Sequence, residues 1–496
     1  MHGLVTRRRF NALMATGLAA AAAAGPAWAD DGVDVPWRSA DPHLSGNFLP
    51  VQRETDAADL QVLSGRIPPE LRGAYLRNGP NPLFEPLAFT YPLDGDGMIH
   101  AVYLEEGRAR YRNRFVRTRG LAVEQRLGRA VYGSFAKPVN IDTSVLLPGD
   151  PAAPFKNGAF VNIIRHGGRL LALNEAITAY EMSPALDTLG EWTAGTAQPI
   201  RLGAHNRHHP RSGDLYALQY DWREPLIRFH QIDRGGTLVR TLPVPMAMPT
   251  MVHDFVLTER HIVLVAGPAV FDIDAARAGG SMLQWRPDLG LRVALIPLDG
   301  GAVRWIESDA FFVFHFANGF ERGGRIVVDY VQHEAFSLGP ARGGPPTLRR
   351  LHIDPVRGSL RVERLSEHMV EFPRVDDRRE ALPTRHVYLP TRTTTLTLPD
   401  PPSAAFNAVL KVDTDSGRLQ SHDFGNRLVG EAIFIPRPGG TREDDGYIAT
   451  YVYDPATHGS TLALLHAQRI EDAPVVVIQM PQRVPQGLHG NWIAGA

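Results

Sequence analysis

Short apolar runs dominate the hydrophobic pattern of the chain. They are rich in Val, Ile, Leu and Tyr, and Gly, Pro or Asp bounds them, as is typical of β-strands. Examples are RLLALNEA (169–176), DLYALQYDW (214–222), HIVLVAG (261–267), RIVVDYVQ (325–332), GYIATYVYD (446–454) and STLALLHAQ (460–468). Long amphipathic helices are scarce, and no linker divides the chain. The pattern therefore predicts an all-β protein without independent domains.

A recurring turn divides these strands into units of similar length. In each turn an apolar residue precedes Asp, a Gly-containing loop follows, and another strand begins. The aspartates of these turns are Asp233, Asp299, Asp354 and Asp413. Their repeat of roughly 60 residues indicates propeller blades, and the chain is long enough for about seven. Such turns also occur in other β proteins, so the repeat favours a propeller without establishing one.

The N-terminal segment 1–29 has the features of an export signal. Twin arginines and a short apolar run occur in TRRRFNALMATGLAAAAAAGPAWA (6–29), which ends in a small-x-small cleavage site. We expect a twin-arginine signal peptide over 1–29, cleaved near Ala29, that engages the twin-arginine export machinery. The apolar run is too short to span a bilayer. The expected mature protein is a single β-propeller domain over 30–496, in the periplasm or outside the cell.

The amino-acid composition excludes several kinds of partner, metal site and catalytic nucleophile. The 52 basic and 53 acidic residues form no charge block, which argues against a nucleic-acid partner. The chain has no cysteine, so disulfides, thiolate metal sites and cysteine nucleophiles are excluded. No Gly-x-Ser-x-Gly motif indicates a hydrolase nucleophile. Any transition metal must be held by His, Asp or Glu.

Four well-separated histidines fall at the ends of predicted strands. They are His205 in GAHN, His253 in MVHDF, His315 in FVFHFANGFE and His489 in GLHGNW. Strands of different propeller blades converge on one axis, so one inward histidine per blade could surround a single ion. Four neutral imidazoles suit Fe(II), Cu, Ni or Zn.

Several ordered motifs carry a family resemblance. They are IPPELRGAYLRNGPNP (67–82), YPLDGDGMIHAVYLEEGRARYRNRFVRT (91–118), VHDFVLTERHIVLV (252–265), FHFANGFE (314–321), VEFPRVDDR (370–378), GEAIFIPRPGGTREDDGYIATYVYD (430–454) and LHGNW (488–492). With these motifs the chain resembles the carotenoid cleavage oxygenases, a family that includes stilbene-cleaving enzymes and retinoid isomerases. The match spans most of residues 30–496.

The resemblance implies a fold and a metal site. The expected fold is a seven-bladed β-propeller with one Fe(II) per subunit on its axis, and with loops and short helices capping a substrate tunnel. The positions that match the iron ligands are His205, His253, His315 and His489. The resemblance also implies three glutamates, Glu175, Glu371 and Glu431, that orient ligands by accepting their second N–H. His208 and His209, next to the first ligand, are interpreted as turn or surface residues.

The resemblance further implies a dioxygenase that adds both atoms of O2 across a C=C bond of an apolar conjugated substrate. Stilbene-cleaving relatives typically carry a Lys in a Thr-x-Lys pattern, where this chain has Gly120. This difference favours a carotenoid or apocarotenoid, while the adjacent Arg119 keeps stilbene cleavage as an alternative. The segment VLLPGDPAAPF (145–155) is short, so we expect membrane contact to be transient at most.

Two other functional classes stay open on the sequence. A metal-dependent propeller hydrolase such as a lactonase, or a binding module, would also explain the turns and the export signal. Neither would explain four histidines and three glutamates in the family's order. An isomerohydrolase-like activity is a further alternative, and it would form product without consuming O2.

Overall fold

Strands make up most of the regular structure of the chain. A computed structural model describes residues 35–495, except residues 38, 136, 279, 280, 339, 340, 399, 400 and 403. The predicted signal peptide (1–29) lies outside the described residues. Within them are two α-helices, α1 (Arg119–Leu127) and α2 (Ile273–Arg277), and five short 3-10 helices: Pro42–Leu44, Gly46–Phe48, Thr143–Val145, Pro287–Leu289 and Asp377–Arg379.

The strands are numbered in chain order. The first half comprises β1 (Asp56–Ala57), β2 (Val62–Gly65), β3 (Gly73–Arg77), β4 (Met98–Glu105), β5 (Arg108–Phe115), β6 (Asn162–His166), β7 (Arg169–Leu173), β8 (Ile177–Thr178), β9 (Tyr180–Met182), β10 (Thr188–Glu191), β11 (Arg201–Leu202), β12 (Asn206–His208), β13 (Leu215–Tyr220), β14 (Leu226–Ile232), β15 (Leu238–Pro245), β16 (Val256–Leu257) and β17 (His261–Ala266). The second half comprises β18 (Ala269–Phe271), β19 (Leu283–Trp285), β20 (Leu291–Pro297), β21 (Arg304–Ser308), β22 (Phe316–Arg322), β23 (Arg325–Gln332), β24 (Thr347–Asp354), β25 (Ser359–Arg364), β26 (His386–Thr391), β27 (Ala408–Asp413), β28 (Leu419–Asp423), β29 (Leu428–Val429), β30 (Ile433–Pro436), β31 (Gly446–Asp454), β32 (Gly459–His466), β33 (Val476–Gln479) and β34 (Gly490–Ala494).

These strands form seven antiparallel blades, which confirms the predicted propeller. From the inner to the outer strand, blade 1 is β34-β3-β4-β5-β1, blade 2 is β6-β7-β9-β10, and blade 3 is β12-β13-β14-β15. Blade 4 is β16-β17-β20-β21, blade 5 is β22-β23-β24-β25, and blade 6 is β26-β27-β28. In blade 7, β29 and β30 both pair with β31, and β32, β33 and β2 follow outward. The pairs β8-β11 and β18-β19 lie outside the blades.

The two ends of the described chain close the ring. The last strand, β34, pairs with β3 from Gly73 opposite Ala494 to Arg77 opposite Gly490, and it becomes the inner strand of blade 1. The early strand β2 pairs with β33 and becomes the outer strand of blade 7. Hydrogen bonds between segments far apart in sequence therefore complete both blades.

The recurring aspartates mark the same hairpin in four consecutive blades. In blades 3 and 4, Asp233 and Asp299 lie between the last two strands; in blades 5 and 6, Asp354 and Asp413 are the last residues of β24 and β27, directly before the hairpin loop. In each hairpin the aspartate Oδ1 accepts a backbone N–H from the loop at 2.9 to 3.1 Å. An acceptor in this position stabilises a tight turn. The sequence repeat therefore has a structural cause in each blade.

Apolar side chains fill the spaces between neighbouring blades. One example joins blades 7 and 1, where the rings of Tyr75 and Tyr451 stack with centroids 5.1 Å apart and the guanidinium of Arg77 lies over Tyr451. The two α-helices lie in connections between strands: α1 connects blades 1 and 2, and α2 lies between β18 and β19 within the long connection from β17 to β20 of blade 4. Helix α1 begins after Thr118, whose hydroxyl accepts the N–H of Leu121 at 3.2 Å. Among the described residues, no helix combines the length and hydrophobicity required of a membrane-spanning helix.

Candidate metal centre

Each of the seven blades contributes one side chain to a common site where the inner strands converge. The histidines precede the inner strands of four blades: His205 precedes β12, His253 precedes β16, His315 precedes β22 and His489 precedes β34. The glutamates come from the other three blades: Glu175 follows β7, Glu371 lies in a segment bridged to β26, and Glu431 lies between β29 and β30. The propeller thus brings together residues separated by more than half of the chain.

The four histidines form a compact buried group, here called the four-histidine cluster (His205, His253, His315, His489). One ring nitrogen of each lies within 4.8 Å of the corresponding nitrogen of every other. The Nε2 atoms of His205 and His253 are 3.1 Å apart. The Nε2 atom of His315 is buried without a hydrogen-bond partner among the described residues. Because an orphaned buried nitrogen is costly, this convergence fits a transition metal held by imidazoles.

Two of these rings have a carboxylate next to Nδ1, the ring nitrogen that faces away from the cluster. His253 Nδ1 lies 2.8 Å from Glu175 Oε2, and Glu175 Oε1 accepts the hydroxyl of Tyr220 at 2.9 Å. His315 Nδ1 donates to Glu371 Oε2 at 2.5 Å. Burial opposes ionisation of Glu371, but its histidine partners outweigh burial and hold its pKa below the ordinary value. A carboxylate on Nδ1 fixes the tautomer and leaves Nε2 directed at the cluster.

The third carboxylate is part of a larger network. His489 Nδ1 donates to Glu431 Oε1 at 3.0 Å, and the backbone N–H of Gly490 donates to Oε2 at 2.7 Å. Arg374 donates to Glu431 at 3.3 Å and to the carbonyl of Gly490 at 2.9 Å. Burial opposes ionisation of Glu431, but Arg374 and His489 outweigh it and lower its pKa to about 2. This carboxylate is therefore charged at neutral pH.

The remaining histidine, His205, has no carboxylate at hydrogen-bond distance among the described residues. Its Nδ1 lies 4.0 Å from Asp254 Oδ2. That aspartate already accepts two hydrogen bonds from Arg207, at 2.7 and 2.6 Å, and the backbone N–H of Phe316 at 3.0 Å. Asp254 therefore fixes the segment that follows His205 and the segment that carries His315, rather than the ring of His205.

Electrostatics favour neutral rings for part of the cluster. Burial, together with the three other rings, lowers the pKa of His205 well below its ordinary value. Burial also lowers the pKa of His489 despite the opposing effect of Glu431. At His253, burial favours the neutral ring, but Glu175 outweighs it and raises the pKa. Neutral imidazoles with ionised carboxylates behind them suit a divalent cation, because the rings supply lone pairs and the carboxylates supply charge.

An apolar cavity of about 150 Å³ opens beside the cluster. His253, His315 and His489 form part of its wall. Its apolar lining comes from loops between strands and includes Tyr91, Val161, Phe314, Leu338, Phe372 and Leu488. A neighbouring cavity of about 90 Å³ shares Leu93, Asn174, Glu175 and Met251 with it and adds Phe135, Phe155, Trp222 and Phe271. Together they form a mostly apolar space next to the candidate metal site.

A second cavity of about 390 Å³, which has several charged side chains in its lining, also contacts the cluster. His205, His315 and His489 line it, together with the charged side chains Arg207, Asp254, Arg374, Glu380 and Glu431. The cavity extends to Asp377, whose side chain is 58% exposed. The cluster therefore borders an apolar cavity and a second cavity lined in part by charged side chains.

Comparison with known proteins identifies the family. Residues 48–494 match the family model described as retinal pigment epithelial membrane protein. A carotenoid cleavage oxygenase from Mycobacterium tuberculosis is 31% identical over 509 residues, which cover 92% of this chain and 98% of that protein. This chain belongs to the carotenoid cleavage oxygenase family. The predicted family is thereby confirmed, and the protein is an oxygenase.

Solved structures of other family members have the same architecture. A lignostilbene dioxygenase from Pseudomonas brassicacearum matches with a TM-score of 0.84 at 27% identity, covering 93% of this chain and all of that chain. A cobalt-substituted apocarotenoid oxygenase from Synechocystis matches with a TM-score of 0.80 at 30% identity, covering 91% of this chain and 98% of that chain. The family thus includes proteins named for different substrates on one fold.

The histidines next to the first cluster residue lie elsewhere. The backbone N–H of His208 donates to Glu380 at 2.5 Å, and its ring Nε2 lies 3.3 Å from Nδ1 of His166. His209 Nε2 lies 3.0 Å from the carbonyl oxygen of Glu259. Of the three histidines in HNRHH (205–209), only His205 lies in the four-histidine cluster.

Three residues near the site had no role in the sequence analysis. Arg374 occurs in the motif VEFPR and contacts Glu431, and Asp254 directly follows His253. His333 donates from Nε2 to Glu371 at 2.8 Å. The first two lie beside predicted site residues, so adjacency was an available signal. His333 follows an ordinary strand, and nothing in its sequence context indicates the site.

Proposed function

We propose that this oxygenase uses one Fe(II) per chain to cleave a C=C bond of a carotenoid or apocarotenoid. Both atoms of O2 enter the products, which are two carbonyl compounds. The reaction balances without an added reductant, because the alkene supplies the electrons. The observation that carries the proposal is the four-histidine cluster, backed by three carboxylates and bordered by an apolar cavity.

The side chains of this chain have distinct proposed roles. His205, His253, His315 and His489 hold the metal through ring nitrogens. Glu371 and Glu431 accept the Nδ1–H of His315 and His489, and Glu175 lies 2.8 Å from Nδ1 of His253; these contacts fix the orientation of three rings. When bound, Fe(II) supplies binding and activation of O2 at positions that the histidines leave open. The apolar cavity positions the conjugated chain and excludes water.

The surroundings of Gly120 support the carotenoid or apocarotenoid reading. A side chain there would clash, because an added Cβ would lie 2.8 Å from Cβ of Lys156. That lysine lines the smaller cavity, where its ammonium is paired with Asp96 at 2.6 Å and with Glu124. Arg119, whose side chain is 52% exposed, lies 3.6 Å from a carboxylate oxygen of Glu191 rather than in either apolar cavity. Neither position offers a free cation to a phenol.

One observation favours stilbene cleavage as a second candidate. The smaller cavity is lined by five aromatic side chains, those of Phe135, Phe155, Tyr220, Trp222 and Phe271. Aromatic side chains of this kind can pack against the ring of a stilbene. The lignostilbene dioxygenase from Pseudomonas brassicacearum also shares the fold of this chain. Both substrate classes therefore belong in the first assay.

The test combines metal analysis with O2 consumption. Purified mature protein is analysed for Fe, Zn, Cu, Ni and Ca, and O2 uptake is followed with apocarotenoids and hydroxystilbenes. We expect about one iron per chain, one O2 consumed per alkene cleaved, and two carbonyl products. Product without O2 uptake would support isomerohydrolase chemistry instead. A protein that cannot be loaded with Fe(II) would refute the proposed cofactor.

We also propose export by the twin-arginine route, with cleavage near Ala29, and transient contact with a membrane. The motif in residues 6–29 supports the first proposal. The second rests on the segment 145–155, in which Leu147 is 56% exposed. N-terminal sequencing of protein from the periplasmic fraction would test the cleavage site. Co-sedimentation with phospholipid vesicles, compared between wild type and Leu147→Ser, would test the membrane contact.

A further inference from the structure

His333 places a polar group in the wall of the apolar cavity. It follows β23, and its backbone N–H and carbonyl pair with Phe312 at 2.8 and 2.9 Å. Its ring contacts Phe314 edge to face, with centroids 5.1 Å apart. The side chain lines the cavity beside the cluster and is 14% exposed. The ring of Phe314 and the paired backbone therefore hold the ring of His333 in one position.

The two ring nitrogens of His333 have different surroundings. Nε2 donates to Glu371 Oε1 at 2.8 Å, and Glu371 Oε2 accepts His315 and the backbone N–H of Phe372 at 2.5 and 2.6 Å. Because a carboxylate only accepts, the neutral ring of His333 carries its proton on Nε2. Its Nδ1 therefore offers a lone pair and has no partner among the described residues. Unlike Nε2 of His315, this Nδ1 atom is not fully enclosed.

Asn174 and Glu175, two other polar side chains of the lining, are already engaged, whereas the buried hydroxyl of Tyr91 has no hydrogen-bond partner among the described residues. Asn174 donates to Asn157 at 3.3 Å and accepts the backbone N–H of Glu175 at 2.9 Å. Glu175 accepts the hydroxyl of Tyr220 and lies against His253. The lone pair of His333 is therefore available to a substrate in a wall that is otherwise mostly apolar.

We propose that His333 accepts a hydrogen bond through Nδ1 from a hydroxyl group of the substrate, and so selects hydroxyl-bearing conjugated alkenes. This inference rests on the proposed function, which places a conjugated alkene in the cavity. A ring hydroxyl of an apocarotenoid and a phenol of a stilbene offer the same donor. A substrate with an ether or hydrogen at that position leaves Nδ1 unpaired and binds less tightly.

Three substitutions separate the two nitrogens of His333. In His333→Gln the amide nitrogen can replace Nε2 and donate to Glu371, but the acceptor at Nδ1 is lost. In His333→Asn the amide oxygen lies close to the position of Nδ1, while the contact with Glu371 is lost. His333→Phe removes both. The matched control is His352→Gln, which alters another histidine–glutamate pair, His352 Nε2 to Glu363 at 2.9 Å, on the outer strands of blade 5.

The measurement is binding to the Fe(II)-loaded enzyme with O2 excluded, so that no ligand is cleaved. One ligand pair is 4-hydroxystilbene and 4-methoxystilbene. The other is a 3-hydroxylated β-apocarotenal and the unhydroxylated compound of the same length. We expect wild type, His352→Gln and His333→Asn to prefer the hydroxylated member of at least one pair, by about 2- to 12-fold. In His333→Gln and His333→Phe the preference should disappear, while His333→Gln retains the metal affinity of wild type.

Each outcome of the binding measurement either supports or overturns the proposed role of His333. Equal binding of both members of each pair by wild type, no binding of either hydroxylated compound, or an unchanged preference in His333→Gln would overturn the inference. Admitting O2 then tests the proposed reaction separately. A preference for hydroxylated ligands without O2 uptake would refute the proposed reaction and leave the role of His333 standing. O2 uptake together with equal binding of the hydroxylated and unhydroxylated ligands would support the proposed reaction and refute the role of His333.

Discussion

Glutamine at position 431 is the most informative perturbation of the candidate metal centre. Every group that surrounds the Glu431 carboxylate is a donor: the ring of His489, the guanidinium of Arg374 and the backbone N–H of Gly490. An amide has one oxygen and one NH2 group, so Glu431→Gln must turn its NH2 group toward a donor in either orientation. If the amide oxygen faces His489 and Arg374, the NH2 group faces the backbone N–H of Gly490, whose nitrogen lies 2.7 Å from Glu431 Oε2 in the wild type.

Two losses should follow from this mismatch. One buried donor without an acceptor costs about 1 to 3 kcal/mol of folding free energy in the metal-free protein. A histidine ligand that loses its carboxylate partner typically weakens metal binding by about 10- to 100-fold. At about 1.4 kcal/mol for each factor of ten, the second loss is about 1.4 to 2.8 kcal/mol. The two losses are measured separately, because the first needs no metal.

The assay compares metal-free unfolding with Co(II) and Fe(II) affinities from competition against a chelator. The matched control is Glu321→Gln. Glu321 accepts hydrogen bonds from Thr258 at 2.8 Å and from Arg260, but it lies on β22 about 20 Å along the strand from His315. We expect the control to lose stability and keep its metal affinity. Metal affinity of Glu431→Gln equal to that of wild type would refute the orienting role of Glu431.

Two further predictions concern the cluster and its charge. Alanine at any one position of the four-histidine cluster should reduce bound iron from about one per chain to a small fraction, whereas His208→Ala and His209→Ala should keep the iron. Elemental analysis measures the iron content. A cluster variant that retains full iron would exclude the substituted residue as a ligand. The pKa of Glu431 lies at about 2, below the ordinary 4.5, so the carboxylate stabilises the fold above about pH 4.5 and loses this effect as the pH falls toward 2. The melting temperature of the metal-free protein should therefore fall across that window, and a fall as steep in Glu431→Gln would contradict this assignment.

The repeating unit of the fold was predictable, but its closure was not. Asp233, Asp299, Asp354 and Asp413 act through the loops in which they occur, so their spacing reports blade length directly. The pairing of β2 with β33 and of β34 with β3 joins opposite ends of the described chain. No local pattern encodes which strands meet at such separations. The ring closure therefore emerged only from the structure.

The uneven spacing of the cluster histidines has a similar cause. His205, His253 and His315 come from three consecutive blades, and their separations along the chain resemble the blade length. The much longer gap between His315 and His489 arises because blades 6 and 7 direct Glu371 and Glu431 to the site instead. A single blade period cannot predict such an alternation. The family resemblance indicated these positions, and the propeller explains their spacing.

Arg374 shows why a supporting residue can escape sequence analysis, and it leads to a last prediction. Its guanidinium donates to Glu431 at 3.3 Å, and to the carbonyl of Gly490 and the side chain of Asn491 at 2.9 Å each. These contacts form only when the folded chain brings the segments together. A lysine carries one ammonium group and cannot bridge the same three acceptors. Arg374→Lys should therefore cost stability, by about 1 to 3 kcal/mol. It should weaken metal binding less than Glu431→Gln does, because Glu431 still accepts from His489 and Gly490. Chelator competition ranks the two variants, and a larger loss of metal affinity in Arg374→Lys would show that the guanidinium, rather than the carboxylate, orients the histidine.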